Sequence, residues 1–276
     1  MSNLLKDIYT KEFYDNFFVI AGEVIPFFDS KQFKQLIFDS TWESKELKQR
    51  MRHTALALHK FMPQNFEHAS VIIKTIVEKL PKNNINEVSL EYMFLPDYIE
   101  LYGLDNIENA ITLFEFITPF TSCEFAVRPF IIKYPEKMMK QMLIWSKHKN
   151  HYVRRLASEG SRPRLPWAIA LPEFKTNPSY ILPILENLKN DTSEYIRRSV
   201  ANNLNDIAKD NPQIVIKLAK KWKGISKETD AVVKHGCRTL LKQGNPDILE
   251  LFGFDCSDTF QLTDFKIINT KSANWK

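Results

Sequence analysis

The sequence predicts an all-α protein, a HEAT-like-repeat α-solenoid with a concave basic face and a short β-like C-terminal tail. Three observations lead there. Apolar residues recur at helical spacing from the N-terminus to about residue 252. A degenerate motif returns at a period near 40, the signature of stacked helix pairs. It reads VRRLASE at 153–159, IRRSVANNL at 196–204, 43 residues on, and VKHGCRTLL at 233–241, 37 residues after that. Prolines fall where helices should start or stop: Pro119, Pro129, Pro135, Pro163, Pro172, Pro178, Pro183 and Pro212.

The elements follow in order. Residues 6–25, 31–40 and 44–62 read as helices, and Leu47, Met51, Ala55 and Leu58 set the 3.6-residue stripe of the third. Residues 65–80 continue as a helix to Pro81. The polar stretch PKNNINE at 81–87 is a soft boundary. From Val88 the helices come in short pairs split by the prolines. The last stretch changes character, with short β-like runs at 260–262 and 265–268. About twenty residues make no sheet domain alone. They read either as a strand-like tail or as the start of a further domain, giving a helical-repeat domain at 1–254 and a separate segment at 255–276.

Composition excludes several function classes. No apolar run reaches the roughly 18 residues that span a bilayer, and the N-terminus carries charges where an export signal needs an apolar run. Cys123, Cys237 and Cys256 form no CxxC, so a reduced cytoplasmic compartment is expected. With only 7 glycines and no GxGxxG or GxxxxGK[ST], no nucleotide-binding fold is expected. His148 and His151 have no third ligand motif beside them, so no metal site is expected. The net charge of +5 is unevenly distributed. Residues 151–242 hold 17 Lys+Arg against 9 Asp+Glu, a balance of +8, and the remainder sums to −3. A confined basic excess suits a polyanionic partner.

Residues 151–167, HYVRRLASEGSRPRLPW, concentrate the chemistry: four arginines, one carboxylate and one tryptophan. An amphipathic helix opens the segment, Gly160 should end it, and Pro163 and Pro166 should force an extended turn. This block, together with SCEFAVRPF at 122–130, SEYIRRSVANNLNDIAKDNP at 193–212 and the weaker VVKHGCRTLLKQGNPDILELFGF at 232–254, resembles the bacterial HEAT-like-repeat alkylpurine DNA glycosylases, the AlkC branch more than the AlkD branch. The resemblance covers roughly residues 4–254. Many members carry an immunoglobulin-like domain after the helical part, which is the identity it implies for a domain beginning at 255–276.

The resemblance implies an enzyme that cuts the N-glycosidic bond of a cationic N-alkylated purine such as 3-methyladenine. It would act as a monomer on double-stranded DNA, without full base flipping, without a metal or organic cofactor and without a membrane. It assigns catalytic roles to Asp206, Glu159, Trp167 and Glu124. Each also has a plainer reading. Glu159 is four residues from Arg155 and could be a surface ion pair worth about 0.3–0.5 kcal/mol. Asp206 could be a solvated acid near a helix C-terminus, although an acid there opposes the helix dipole. Trp167 could be a core plug, and Glu124 an acid favoured by a helix N-terminus. Arg154, Arg155, Arg162, Arg164, Arg198 and Lys209 are the candidate phosphate contacts, which position a protein on DNA without reading its sequence. The competing reading is a non-catalytic HEAT-like scaffold binding DNA or protein. Convergence of the acids and the indole in one pocket separates the two.

Overall fold

The computed structural model describes residues 4–80 and 89–254. Within them the chain folds into sixteen α-helices with three short 3-10 turns and no strand. The stretch 81–87 and the tail 255–276, including Cys256, lie outside the described residues.

The first helices are α1 (Lys11–Val24), α2 (Ser30–Ile37), α3 (Leu47–His59), α4 (Phe66–Lys79), α5 (Phe94–Tyr102) and α6 (Ile107–Ile117). The middle of the chain forms α7 (Val127–Lys133), α8 (Pro135–Trp145), α9 (His151–Gly160), α10 (Pro172–Thr176) and α11 (Leu182–Leu188). The last are α12 (Glu194–Ala208), α13 (Pro212–Trp222), α14 (Lys227–Gly236), α15 (Arg238–Lys242) and α16 (Pro246–Leu251). Local chemistry explains many of their starts. Asn65, Asn150 and Ser226 accept hydrogen bonds from the backbone N–H groups of His68, Tyr152 and Thr229, satisfying donors that a helix start leaves orphaned. Pro135, Pro172, Pro212 and Pro246 occupy first helical positions, where proline's missing N–H costs nothing.

Packing skips one or two helices at a time. On one side α3 packs on α5 and α5 on α7, and α9 packs on α12 and α12 on α14. On the other, α1 packs on α4, α4 on α6, and α8 on α11. This two-layer stacking is that of a helical-repeat protein, and the three copies of the recurring motif fall on α9, α12 and the α14–α15 turn. A second recurrence appears only in three dimensions. The indole N–H of Trp145, at the end of α8, donates to Glu115 at 2.7 Å, and that of Trp222, at the end of α13, donates to Glu186 at 2.9 Å.

Two glycines set how closely helices approach. Gly160 ends α9, as the sequence suggests, but it is absent from the positive-φ residues. Its reason is space: a Cβ there would stand 2.8 Å from the Val127 side chain on α7. At Gly236 a Cβ would stand 2.9 Å from Cβ of Leu204 on α12, an atom that cannot swing away. Gly22, exposed on α1, meets nothing within 4 Å. The two classes of glycine should respond oppositely to alanine. Gly22→Ala should gain about 0.5–1 kcal/mol from helix propensity. Gly236→Ala should lose about 1–3 kcal/mol through overpacking between α12 and α14. Urea melts of both variants check this, and equal gains would refute the close approach.

Candidate active site

The site is built where α9, the loop after it and α12 meet the N-terminal helices. α12 is buried nearly all round because it lies between α9 and α14. Its apolar residues Ile196, Val200, Leu204 and Ile207 are buried, and so are Ser199, Asn203, Asn205 and Asp206. Buried polar groups need partners, and here they stitch neighbouring helices together. Asn203 donates to the Ser158 carbonyl on α9 at 2.8 Å, while Asn205 accepts from the Thr239 hydroxyl on α15 at 2.8 Å.

A chain of alternating charges runs through this layer. Arg155 pairs with Glu124, which also accepts a 2.6 Å hydrogen bond from the Ser122 hydroxyl. Arg155 lies 3.7 Å from Glu159, and Arg162 binds the same Glu159 oxygen at 2.7 Å. The other Glu159 oxygen accepts from the Ser199 hydroxyl at 2.5 Å. Arg162 reaches onward to Asp206 at 2.9 Å through Nε, and Lys209 lies 3.4 Å from the second Asp206 oxygen. Burial pulls the Arg155 and Arg162 guanidiniums down, but the facing acids outweigh it and hold both above the ordinary arginine value. The plain pairing of Glu159 with Arg155 on a helix surface is therefore incomplete. Both side chains are largely buried, and Arg162 is the closer partner.

The loop after α9 departs from the expected extended turn. It is a series of turns, and Trp167 has a φ of +64°, rare for a residue with a large side chain. Arg128, fully buried on α7, holds the loop by donating to the carbonyls of Gly160 (3.0 Å), Arg162 (2.8 Å) and Ile169 (2.5 Å). Burial first, then the nearby Arg162 charge, pushes the Arg128 guanidinium down to about 10, so it stays cationic at neutral pH. The sequence reading missed Arg128. Its block, SCEFAVRPF, was in view, but nothing local marks this arginine as buried.

A cavity of about 370 Å³ opens beside the charge chain, at the small end of ligand pockets. Glu124, Arg155, Glu159 and Arg162 line one part of it. The N-terminal segment supplies apolar residues, among them Leu5, Ile8, Leu47 and Met51, and Trp167 stands at the rim. Trp167 is 67% exposed, which removes the core-plug reading. Asp206 is not among the lining residues and connects to the cavity through Arg162. At 2% exposure it is not the solvated acid of the plainer reading.

The candidate phosphate contacts divide by geometry. Arg198 and Lys209 are exposed, and Arg164 is half-exposed in a 2.6 Å pair with Asp210. Arg155 and Arg162 are held within the charge chain. Arg154 is engaged within the protein and is largely buried. It pairs with Asp191 at 2.7 Å and donates to the carbonyls of His148 and Lys149, both at 3.0 Å. Arg197, its counterpart in the next motif copy, grips the carbonyls of Asp191 (2.7 Å) and Thr192 (3.0 Å) at the same offsets. The first arginine of each RR pair thus braces the turn before its own helix. His148 accepts a hydrogen bond from the Asn150 N–H at 3.0 Å, and among the described residues no group of three or more His, Cys, Asp or Glu could hold a metal. No helix among them is long and apolar enough to cross a membrane.

Comparison with known proteins agrees with this architecture. A family profile described as DNA alkylation repair enzyme matches residues 104–240. The uncharacterized protein YhaZ of Bacillus subtilis is 42% identical over 260 residues, spanning 94% of this chain and 71% of YhaZ. The alkylpurine DNA glycosylase AlkC of Pseudomonas fluorescens, solved bound to DNA containing an abasic site analog, superposes with a TM-score of 0.83 at 34% identity. That match covers 92% of this chain and 69% of AlkC. The chain belongs to the DNA alkylation repair enzyme family. AlkD2 of Streptococcus mutans shares the fold, with a TM-score of 0.52 at 23% identity over 79% of this chain and 98% of AlkD2. The family profile begins at residue 104, so the N-terminal wall of the cavity lies outside it.

The two classes of arginine should separate on mutation. Arg162→Met leaves Glu159 and Asp206 buried without their shared counter-charge and should cost about 3–5 kcal/mol of stability. Arg164→Met breaks a half-exposed pair and should cost about 0–1 kcal/mol. Chemical denaturation of both variants measures the difference, and equal losses would mean that Arg162 is not holding two buried acids.

Proposed function

We propose that this protein is a monofunctional DNA glycosylase that hydrolyses the N-glycosidic bond of cationic N-alkylated purines such as 3-methyladenine. It leaves an abasic site and acts without drawing the base fully out of the duplex. The observation that carries this reading is the single cavity lined by Glu124, Glu159 and an exposed Trp167. An N-alkylated purine carries positive charge before the bond breaks and leaves as a neutral base. The charge passes to the sugar as an oxocarbenium-like centre, which a fixed carboxylate stabilises. The same carboxylate can take the proton of the attacking water. Membership of the family and the likeness to AlkC support the substrate class.

The acids are held for this work before any ligand arrives. Glu159 has both oxygens engaged by Arg162 and Ser199, so its position costs little reorganisation during the reaction. Asp206 acts from behind Arg162, fixing that guanidinium and adding negative charge to the site. The exposed indole can meet a cationic base or sugar through its π face. Because it stands at the rim, it suits a lesion still within its duplex better than one enclosed in a deep pocket. Arg164, Arg198 and Lys209 contact backbone phosphates, and Arg155 and Arg162 position the acids. A non-catalytic scaffold would also tolerate paired acids. It gives no reason for two carboxylates and an exposed tryptophan to line one cavity.

Two outcomes test the proposal. Glu159→Gln and Asp206→Asn should each lower release of 3-methyladenine from methylated duplex by about 10²–10³-fold while DNA binding persists. Thermal melts check folding, and a wild-type protein inactive on methylated duplex would leave the scaffold reading standing. Separately, the double variant Arg198→Ala, Lys209→Ala should reduce the slope of log affinity against log salt by about 2. Arg154→Ala should leave that slope unchanged and lower stability instead.

A further inference from the structure

The hold on Trp167 does not come from packing. Its backbone lies in the left-handed region, and its side chain is too exposed for burial to offset that strain. Arg128 fixes the loop on either side, at the carbonyls of Arg162 and Ile169, but not at residue 167. Among the described residues, the side chain that hydrogen-bonds residue 167 is Lys48. Its Nζ donates to the Trp167 carbonyl at 2.6 Å, from 119 residues earlier in the chain. Lys48 sits in the first turn of α3, where a cation opposes the helix dipole, so α3 itself gains nothing from it. The same ammonium lies 4.8 Å from the centroid of the Phe125 ring, the residue next to Glu124. Lys48, Phe125 and Trp167 all line the cavity.

We propose that Lys48 is a positioning residue. It holds the Trp167 backbone in its left-handed conformation and so sets the indole at the rim of the cavity that the two carboxylates also line. Its importance for turnover rests on the glycosylase reading above, whereas the clamp itself is a property of the DNA-free protein. The consequence is that α3, which lies outside the residues matched by the family profile, completes the site. A simpler role for an exposed lysine near DNA is a phosphate contact, and the two roles have different signatures.

The test compares Lys48→Met, which keeps the aliphatic stem and loses the donor, with Lys48→Arg, which keeps a cationic donor. Both are made in a Trp275→Phe background, which removes the tryptophan outside the described residues; within them Trp42, Trp145 and Trp222 are buried and Trp167 is the exposed indole. In DNA-free protein, time-resolved fluorescence anisotropy should show the fast, nanosecond depolarisation of Trp167 growing roughly twofold in Lys48→Met and returning in Lys48→Arg. An unchanged decay in Lys48→Met overturns the clamp. On methylated duplex at saturating enzyme, single-turnover base release should fall about tenfold in Lys48→Met and recover in Lys48→Arg, with affinity unchanged. An unchanged rate overturns the positioning role, and a salt slope reduced by about 1 identifies a phosphate contact in its place. If the wild type releases no base, the anisotropy still decides the clamp, and only the glycosylase reading falls.

Discussion

Buried charge has to be paired, and that constraint organises the middle of this molecule. Glu124, Arg155, Glu159, Arg162 and Asp206 alternate in sign along one continuous chain of contacts. Any member left alone in this layer would carry a desolvation cost of several kcal/mol. The members come from the turn before α7, from α9, from the loop after α9 and from α12. Satisfying them together therefore fixes how those elements stack. The acids that line the cavity hold their places because their arginine partners are themselves largely buried and bonded. Stability and preorganisation of the site are here the same set of contacts.

The loop carrying Trp167 depends on a second buried cation. Irregular backbone inside a helical protein leaves carbonyls without partners. Arg128 supplies the donors, and it does so from α7, the helix that Gly160 allows α9 to approach. The small residue and the large one are two parts of one arrangement. The glycine brings the helices close, and the arginine uses that closeness to hold the loop. The indole can then stand in solvent at a strained backbone position without a packed core around it.

Much of this was legible in the sequence. The helices and most of their limits follow from apolar spacing, caps and prolines, because those are local effects within a few residues of each boundary. The repeat was readable too, and α9, α12 and α14 stack in the order that it implied. The segment 151–167 stood out by composition, and its residues Arg155, Glu159, Arg162 and Trp167 line the cavity. What the sequence does not separate is one pattern that serves two structural roles. Arg154 and Arg155 are adjacent and chemically identical, yet one braces a turn and the other sits between two acids. Only the direction in which each leaves α9 separates them.

The sequence by itself determined the helices, their repeat and the residues from which a site could be made. It also contained one short-range pair, Arg155 with Glu159, since helical geometry brings residues four apart together. Only the tertiary structure decided that Arg162 spans 44 residues to reach Asp206, that Lys48 reaches Trp167 across 119, and that Asp206 is buried. The reason is physical. Those contacts depend on the distance between stacked helices, and that distance is set by the sum of many packing contacts, Gly160 and Gly236 among them. No stretch of sequence near Asp206 or Trp167 encodes it.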